Sequence, residues 1–144
     1  MLSEALTDHL KSLHTAAIDA RNGYTEALED AGGKGMTPLF QEMIALHAQN
    51  ADELASELGK LGEKADDSGS FMTTIHRTII SIRALFNGLG ESVLPGLIDG
   101  EERNLKHYGD VLQAGDVPVA LEQVLVAERN RILAAVVRMR AAQS

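Results

Sequence analysis

The sequence predicts an all-α protein, an up-and-down four-helix bundle. Aromatic residues make up only 3% of the 144 residues and there is no tryptophan, so the aromatic residues that favour strands are scarce. Between breaks rich in glycine and proline, apolar residues recur at steps of three and four, the period of an amphipathic helix. A chain of this length suffices for one core, and we expect residues 1–144 to form one domain.

The first two predicted helices are separated by the stretch 31–38, which holds three glycines and a proline. The first helix covers about residues 3–30. The second covers about 38–62, with Thr37 as its N-cap and Pro38 at its first helical position. The stripe of the first helix consists of Leu6, Leu10, Leu13, Ala17, Ala20, Tyr24 and Leu28. The stripe of the second consists of Phe40, Met43, His47, Ala51, Leu54, Leu58 and Leu61.

The third predicted helix, about 69–113, follows a polar loop and is broken or kinked around Gly88–Gly96. Its stripe consists of Phe71, Ile75, Ile79, Ile82 and Phe86, then Leu94, Leu97, Glu101, Leu105, Tyr108 and Leu112. The fourth helix, about 117–142, has the stripe Leu121, Leu125, Glu128, Ile132, Val136 and Met139. Three short connections between four helices predict antiparallel neighbours.

Composition excludes several classes of function. The net charge is −8 and the basic residues are dispersed, which disfavours a nucleic-acid-binding face. No apolar run approaches the length of a membrane span, and the acidic, amphipathic N-terminal stretch resembles no secretory signal. Cysteine is absent, so disulfides and thiolate chemistry are excluded. We therefore expect a cytoplasmic protein that binds neither membrane nor nucleic acid.

Five polar residues lie on the apolar stripes, where a charge is costly unless it is paired. They are Tyr24, His47, Glu101, Tyr108 and Glu128. One interpretation is a mononuclear zinc or iron site made by His47, Glu101 and Glu128, because one imidazole and two carboxylates provide three protein ligands. The other interpretation, which we favour, is a metal-free core.

In the metal-free interpretation an arginine neutralises the glutamates. Arg21 and Arg131 lie at the edges of their stripes, and Arg131 follows Glu128 by three residues. We expect Arg131 to pair with Glu128 or Glu101 in the core. The remaining histidines lie off the apolar centres and are expected to be solvated or at the boundary; they are His9, His14, His76 and His107.

Four stretches, "GYTEALED", "PLFQEM", "SGSFMTTIHR" and "GEERNLKHY", resemble in this order the landmarks of an uncharacterised bacterial family. It is a domain of unknown function (2383) described as a ferritin-like four-helix bundle, distantly similar to the rubrerythrins. The resemblance runs from about Leu6 to Arg140. It implies a ferritin-like fold and no known reaction.

The wider ferritin-like group implies six metal-ligand positions, one on each of the first and third helices and two on each of the others. On this sequence they fall on Ala17, His47 and Asn50, Glu101, Glu128 and Arg131. Only Glu101 and Glu128 keep the expected residue type. The resemblance therefore implies a degenerate di-iron site, with Tyr24, Asn50, Tyr108 and Arg131 as polar core residues.

These observations predict a non-enzymatic structural, binding or stress-related role, with no cofactor, and the stress-related option comes from the resemblance alone. The alternative is the mononuclear iron or zinc site, and redox activity would be compatible with such a site. A homo-oligomer, most simply a dimer, is expected because Met72, Ile80 and Arg83 form a second face on the third helix that another subunit would cover; the alternative is that the kinked helix turns this face inward. The partner protein, if any, is not identified by the sequence.

Overall fold

The structure, a computed structural model, describes residues 4–31, 37–63, 94–115 and 117–142. Almost all of these residues belong to four helices: α1 (Glu4–Ala31), α2 (Thr37–Lys60), α3 (Leu94–Gln113) and α4 (Val119–Ala142). No strand occurs within the described ranges. The predicted all-α helical bundle is confirmed.

Three of the helices lie within two residues of their predicted limits. The predicted third helix is described only from Leu94 onward, so its isoleucine-rich half and most of the predicted break at Gly88–Gly96 fall outside the described residues. Gly96 itself is helical. The predicted dimer face of Met72, Ile80 and Arg83 also lies outside the described residues.

The helices form a ring in which each has two neighbours. α1 packs along α2, and α3 packs along α4. The two pairs are joined by contacts of α2 with α4 and of α1 with α3. Consequently α2 and α3 face each other across the bundle axis, as α1 and α4 do.

Every pair of neighbouring helices is antiparallel, because their contacts join early residues of one to late residues of the other. For α1 with α2 the pairs are Lys11 with Glu63 and Tyr24 with His47. For α1 with α3, Tyr24 contacts Glu101, and His107 lies near enough to His9 that burial and the charge of His9 together lower the pKa of His107. For α3 with α4 the pairs are Tyr108 with Glu128 and Glu102 with Arg140; for α2 with α4, Glu53 with Arg131 and Glu42 with Arg138.

It follows that α2 and α3 run in the same direction, since both are antiparallel to α1. α2 ends and α3 begins at opposite ends of the bundle, which differs from the simple alternation that short connections predict. The prediction treats residues 69–113 as one helix, and of this range the structure describes only residues 94–113.

The core is built from the predicted stripes. Leucines and other apolar residues from all four helices are buried together around Phe40 and Met43. Leu61 is an exception, with 37% of its surface exposed, because α2 ends at Lys60. Four other stripe residues are only half-buried; they are Ala20, Leu28, Leu105 and Leu112.

His14 contradicts the expectation that it lies at the boundary, since it is buried. α1 buries a wider face than its main stripe, and His14 lies on this face with Ile18, one helical turn later. His9 and His107 are half-buried, as expected of boundary residues. His76 lies outside the described residues.

Among the described helices, none combines the length and the apolar character that crossing a bilayer requires.

Candidate functional site: a polar cluster in the bundle core

Glu101 of α3 lies at the centre of the bundle and is almost completely buried. Its Oε2 accepts a hydrogen bond from the Tyr24 hydroxyl of α1 at 2.7 Å and lies 2.9 Å from His47 Nε2 of α2. Its Oε1 accepts a 3.0 Å hydrogen bond from Asn104 Nδ2, one turn along α3. The rings of Tyr24 and His47 stack at a centroid distance of 5.9 Å. Three helices thus supply donors to one carboxylate.

These donors keep Glu101 ionised. Burial by itself raises the pKa of Glu101, but the charge of the His47 ring and the hydrogen bonds from His47, Tyr24 and Asn104 outweigh it, so the pKa lies below its usual range. Burial and the neighbouring carboxylate raise the pKa of Tyr24 far above that of a free tyrosine. Tyr24 therefore remains a hydrogen-bond donor to Glu101 at all physiological pH values.

Glu128 of α4 is fully buried and occupies a separate environment. The hydroxyl of Tyr108 donates a 3.0 Å hydrogen bond to its Oε1. Within the described part of the chain Oε2 has no partner at ideal hydrogen-bond geometry, and Glu53 is the carboxylate near enough to share a proton with Glu128. Burial, together with the adjacent Glu53 carboxylate, raises the pKa of Glu128 to about 8 despite the Tyr108 hydrogen bond. Glu128 is therefore mainly protonated at neutral pH, and a neutral carboxylic acid needs no counterion.

Arg131 reaches from α4 to α2, where its Nη1 lies 2.9 Å from both Asn50 Oδ1 and Glu53 Oε1. The hydrogen bond from Arg131 is the main cause of the lowered pKa of Glu53. Both side chains of this ion pair are about 30% exposed. The expectation that Arg131 pairs with Glu128 or Glu101 is therefore corrected, because its long side chain extends to the partly solvated edge of the bundle and carries its charge there.

The expectation for Glu101 is corrected in the same way: the titratable side chain that contacts its carboxylate in the described structure is the imidazole of His47 and not an arginine. Arg21, the other candidate, contacts Asn22 beside it on α1 instead. His47 and Glu101 occupy facing sides of the bundle axis, so a short imidazole can reach the carboxylate directly. Sequence reasoning placed both on apolar stripes but could not pair them.

The three residues of the alternative metal site are only partly brought together. His47 and Glu101 are in contact, whereas Glu128 bonds to Tyr108. Throughout the described ranges, no three His, Asp or Glu side chains are grouped closely enough to hold a metal ion.

A small cavity with room for about one water molecule lies beside the cluster. His47, Asn104 and Tyr108 contribute to its polar side, and Ala17 and Ile132 to its apolar side. Ala17 is the position at which the resemblance implies a carboxylate in di-iron proteins. Its small side chain leaves space where a larger residue would reach the centre of the bundle.

Two participants were missed by the sequence analysis, Asn104 and Glu53. Asn104 lies three residues after the polar stripe residue Glu101, and Glu53 lies three residues after Asn50, a position named by the resemblance; residues three apart are neighbours on a helix surface. This spacing could have identified both. Their pairing with particular partners depends on the packing of different helices, which spacing along one helix does not specify.

Comparison with known proteins gives one family. The family model described as "Domain of unknown function (DUF2383)" matches residues 5–114, which include α2, α3 and all of α1 but its first residue. α4, with Glu128 and Arg131, lies beyond the matched residues. No curated protein and no solved structure matches the chain. Because the match covers more than half of the sequence, this chain belongs to the DUF2383 family, a domain of unknown function.

Proposed function

We propose that the protein is a non-catalytic helical bundle of the ferritin-like type, in which hydrogen bonds among side chains have replaced a di-iron centre, and that its role is structural or binding. The observation that carries this proposal is the satisfaction of Glu101 by Tyr24, His47 and Asn104. A carboxylate that already accepts three hydrogen bonds has no need of a metal ion.

The arrangement of the helices supports the ferritin-like part of the proposal. Ferritin-like bundles contain one long connection that returns along the bundle, and here α2 and α3 run in the same direction. Five of the six positions named by the resemblance lie against one another or beside the cavity, and Glu128 lies apart, bonded to Tyr108. His47 meets Glu101, and Asn50 meets Arg131, while Ala17 lines the cavity beside His47.

The donor set does not fit two iron ions. A di-iron site needs bridging carboxylates and a nitrogen ligand for each metal. Ala17 supplies no ligand, and Arg131 is a permanent cation that bonds to Asn50, so the two positions expected to hold histidines bind each other. We therefore assign no redox or oxygen chemistry to this cluster.

Elemental analysis of protein purified without chelator tests the proposal. We expect iron and zinc well below one ion per chain, and no stable uptake after incubation with either metal followed by gel filtration. Roughly one bound ion per chain would contradict the proposal.

A mononuclear iron or zinc site is the second candidate, favoured by the buried Glu128 Oε2, which has no partner at ideal hydrogen-bond geometry among the described residues. It requires Glu128 to turn from Tyr108 towards His47 and Glu101. In this case the bound metal is lost in His47→Ala and Glu128→Gln but retained in Glu53→Gln, which removes a carboxylate outside the proposed ligand set. Retention in all three variants would exclude this second candidate.

We also propose a cytoplasmic location and, from the resemblance alone, a stress-related context. Fractionation of the native host followed by immunoblotting tests the location. Recovery of the protein in the membrane or secreted fraction would contradict it.

A further inference from the structure

The small cavity in the core is bordered by side chains from two hydrogen-bonded sets, one around each buried glutamate. His47 and Asn104 line the cavity and both contact Glu101. Tyr108 also lines it and donates a hydrogen bond to Glu128. Asn104 and Tyr108 are four residues apart on α3, so they are neighbours on one face of the helix. The cavity therefore adjoins the partners of both glutamates.

The size and the lining of this cavity suit a buried water molecule. The cavity has room for about one water. A buried water needs about two to four polar partners, and three polar side chains line this space: His47, Asn104 and Tyr108. His47 and Tyr108 are almost completely buried, so bulk water does not reach them. A cavity with only apolar walls stays dry, and this lining is not of that kind.

The three polar side chains have hydrogen-bonding capacity beyond their bonds to the glutamates. The Tyr108 hydroxyl gives its hydrogen to Glu128, so its oxygen can accept a further bond. Asn104 uses one N–H for Glu101 and has a second N–H and a carbonyl oxygen. The His47 ring has Nδ1 in addition to the Nε2 that faces Glu101. Water both donates and accepts, so one molecule suits this mixture of donors and acceptors.

Ala17 of α1 sets the space that is available beside these groups. It is buried and lines the cavity, and a valine at this position would place two more methyl groups there. Ala20, on the same helix, is half-buried and lies outside the lining of the cavity. The two alanines therefore offer the same substitution with and without filling of the cavity.

We propose that a single water molecule is bound in this cavity, where it bridges the Tyr108 hydroxyl to Asn104 and His47. The water joins the hydrogen bonds around Glu101 and those around Glu128 into one network that extends from α3 to α4. The site takes water and no larger ligand, because Ala17 leaves room for about one molecule of this size. The proposal rests on the metal-free cluster proposed above.

Crystal structures of the wild type and of two alanine variants test the proposal. We expect one ordered water in the wild type, within about 2.7–3.2 Å of polar atoms of at least two of the three side chains. The water is expected to be lost in Ala17→Val, which fills the cavity, and retained in Ala20→Val. A water that persists in Ala17→Val would overturn the position assigned to the site.

Wild-type crystals under xenon pressure distinguish a hydrated cavity from a dry one. Dry apolar cavities bind xenon, so we expect no xenon beside His47 and Tyr108. Uptake of xenon there, or a cavity without electron density in the absence of xenon, overturns the proposal.

Anomalous scattering from the same wild-type crystals separates this proposal from the proposed function. A metal peak in the cavity would overturn both. A cavity that contains neither metal nor water would overturn the water site and leave the metal-free bundle standing.

A solution measurement on the wild type depends on neither variants nor crystals. A nuclear Overhauser effect between water and a methyl group reports a water molecule held beside that methyl. We expect this effect at the methyl of Ala17 and not at that of Ala27, which is buried in the core and outside the lining of the cavity. An effect at neither methyl, or one of equal size at both, would overturn the proposal.

Discussion

The glutamates of the core are stabilised in two different ways at the scale of single residues. Glu101 is ionised and surrounded by Tyr24, His47 and Asn104. Glu128 has a pKa raised to about 8 and is mainly a neutral acid at pH 7. Burial acts on both, and the number of donors around each carboxylate decides which protonation state is favoured.

His47→Ala tests the pairing with Glu101. We expect the free energy of unfolding to fall by about 3–5 kcal/mol, because the substitution leaves a buried carboxylate without the ring that does most to lower its pKa. Urea denaturation at pH 7 measures the change. A loss below about 0.5 kcal/mol, which is typical of surface substitutions, would show that Glu101 does not depend on this ring.

Arg131→Ala provides the contrast. Its ion pair with Glu53 is about 30% exposed on each side, so screening by solvent limits its contribution to roughly 1 kcal/mol. The same denaturation experiment measures it. A loss as large as that of His47→Ala would indicate that Arg131 neutralises a buried carboxylate after all.

The raised pKa of Glu128 predicts that the free energy of unfolding decreases as the pH rises towards 8. The folded protein holds a proton on Glu128 up to about pH 8, whereas an unfolded glutamate loses it near pH 4.3. The stabilisation from this group is therefore complete below pH 4.3 and is lost as the pH rises towards 8, with a slope of at most about 1.4 kcal/mol per pH unit.

Glu128→Gln imitates the protonated acid and is expected to remove this slope. Urea denaturation of both proteins between pH 5.5 and 8.5 measures it. Glu101 does not interfere, because its pKa is lowered and its contribution is lost only as the pH falls below the usual range of a glutamate. Parallel pH profiles for wild type and Glu128→Gln would show that Glu128 is ionised in the folded protein.

At the scale of the elements, the end of α2 depends on one glycine. Gly62 has a φ of +77°, and hydrogen bonds from Gly62 N to Gly59 O and from Glu63 N to Leu58 O close a Schellman motif. This motif turns the chain away from the helix, which is why Leu61 does not continue the apolar stripe as predicted.

Two glycine substitutions separate backbone conformation from packing at this helix end. A Cβ at Gly59 or at Gly62 meets no atom within 4 Å. Gly62→Ala is expected to lower the unfolding free energy by about 1 kcal/mol because of its positive φ. Gly59→Ala, inside the helix, is expected to raise it by up to about 1 kcal/mol. Thermal denaturation of both variants checks the opposite signs, and a shift in the same direction would contradict the assigned helix end.

At the scale of the whole molecule, the family match and the folded unit differ in extent. The match ends at residue 114, yet α4 contributes Leu125, Ile132 and Met139 to the core, each of them almost completely buried. The fold therefore requires α4, whether or not the sequence there follows the family pattern.

A chain truncated after Gly115 is accordingly expected to lose its cooperative thermal transition, because the apolar faces of α2 and α3 lose their neighbour. Circular dichroism during heating measures this loss. A chain that lacks only residues 143–144 is the control and should unfold as the wild type does. A cooperative transition in the truncated chain would mean that α1, α2 and α3 suffice for the fold.

The sequence alone determined the helical class, the limits of three helices and the positions of the polar residues on the apolar stripes. They follow from periodicity and from capping residues, which act over one or two turns of a single helix. Glu101 in "GEERNLKHY" could be identified in this way as a buried carboxylate, and so could His47, Tyr24 and Tyr108.

The partners of these residues were decided only by the tertiary structure. The placement of separate helices decides which residues meet. It brings His47 and not Arg131 to Glu101, it lets Arg131 extend to Glu53, and it makes α2 and α3 run in the same direction. Residues far apart in sequence carry no local signal of their contact, and a long flexible arginine can satisfy several carboxylates at nearly equal cost. Packing of the bundle selects one of these arrangements, because only that arrangement brings a donor to the buried carboxylate while leaving the guanidinium partly in water.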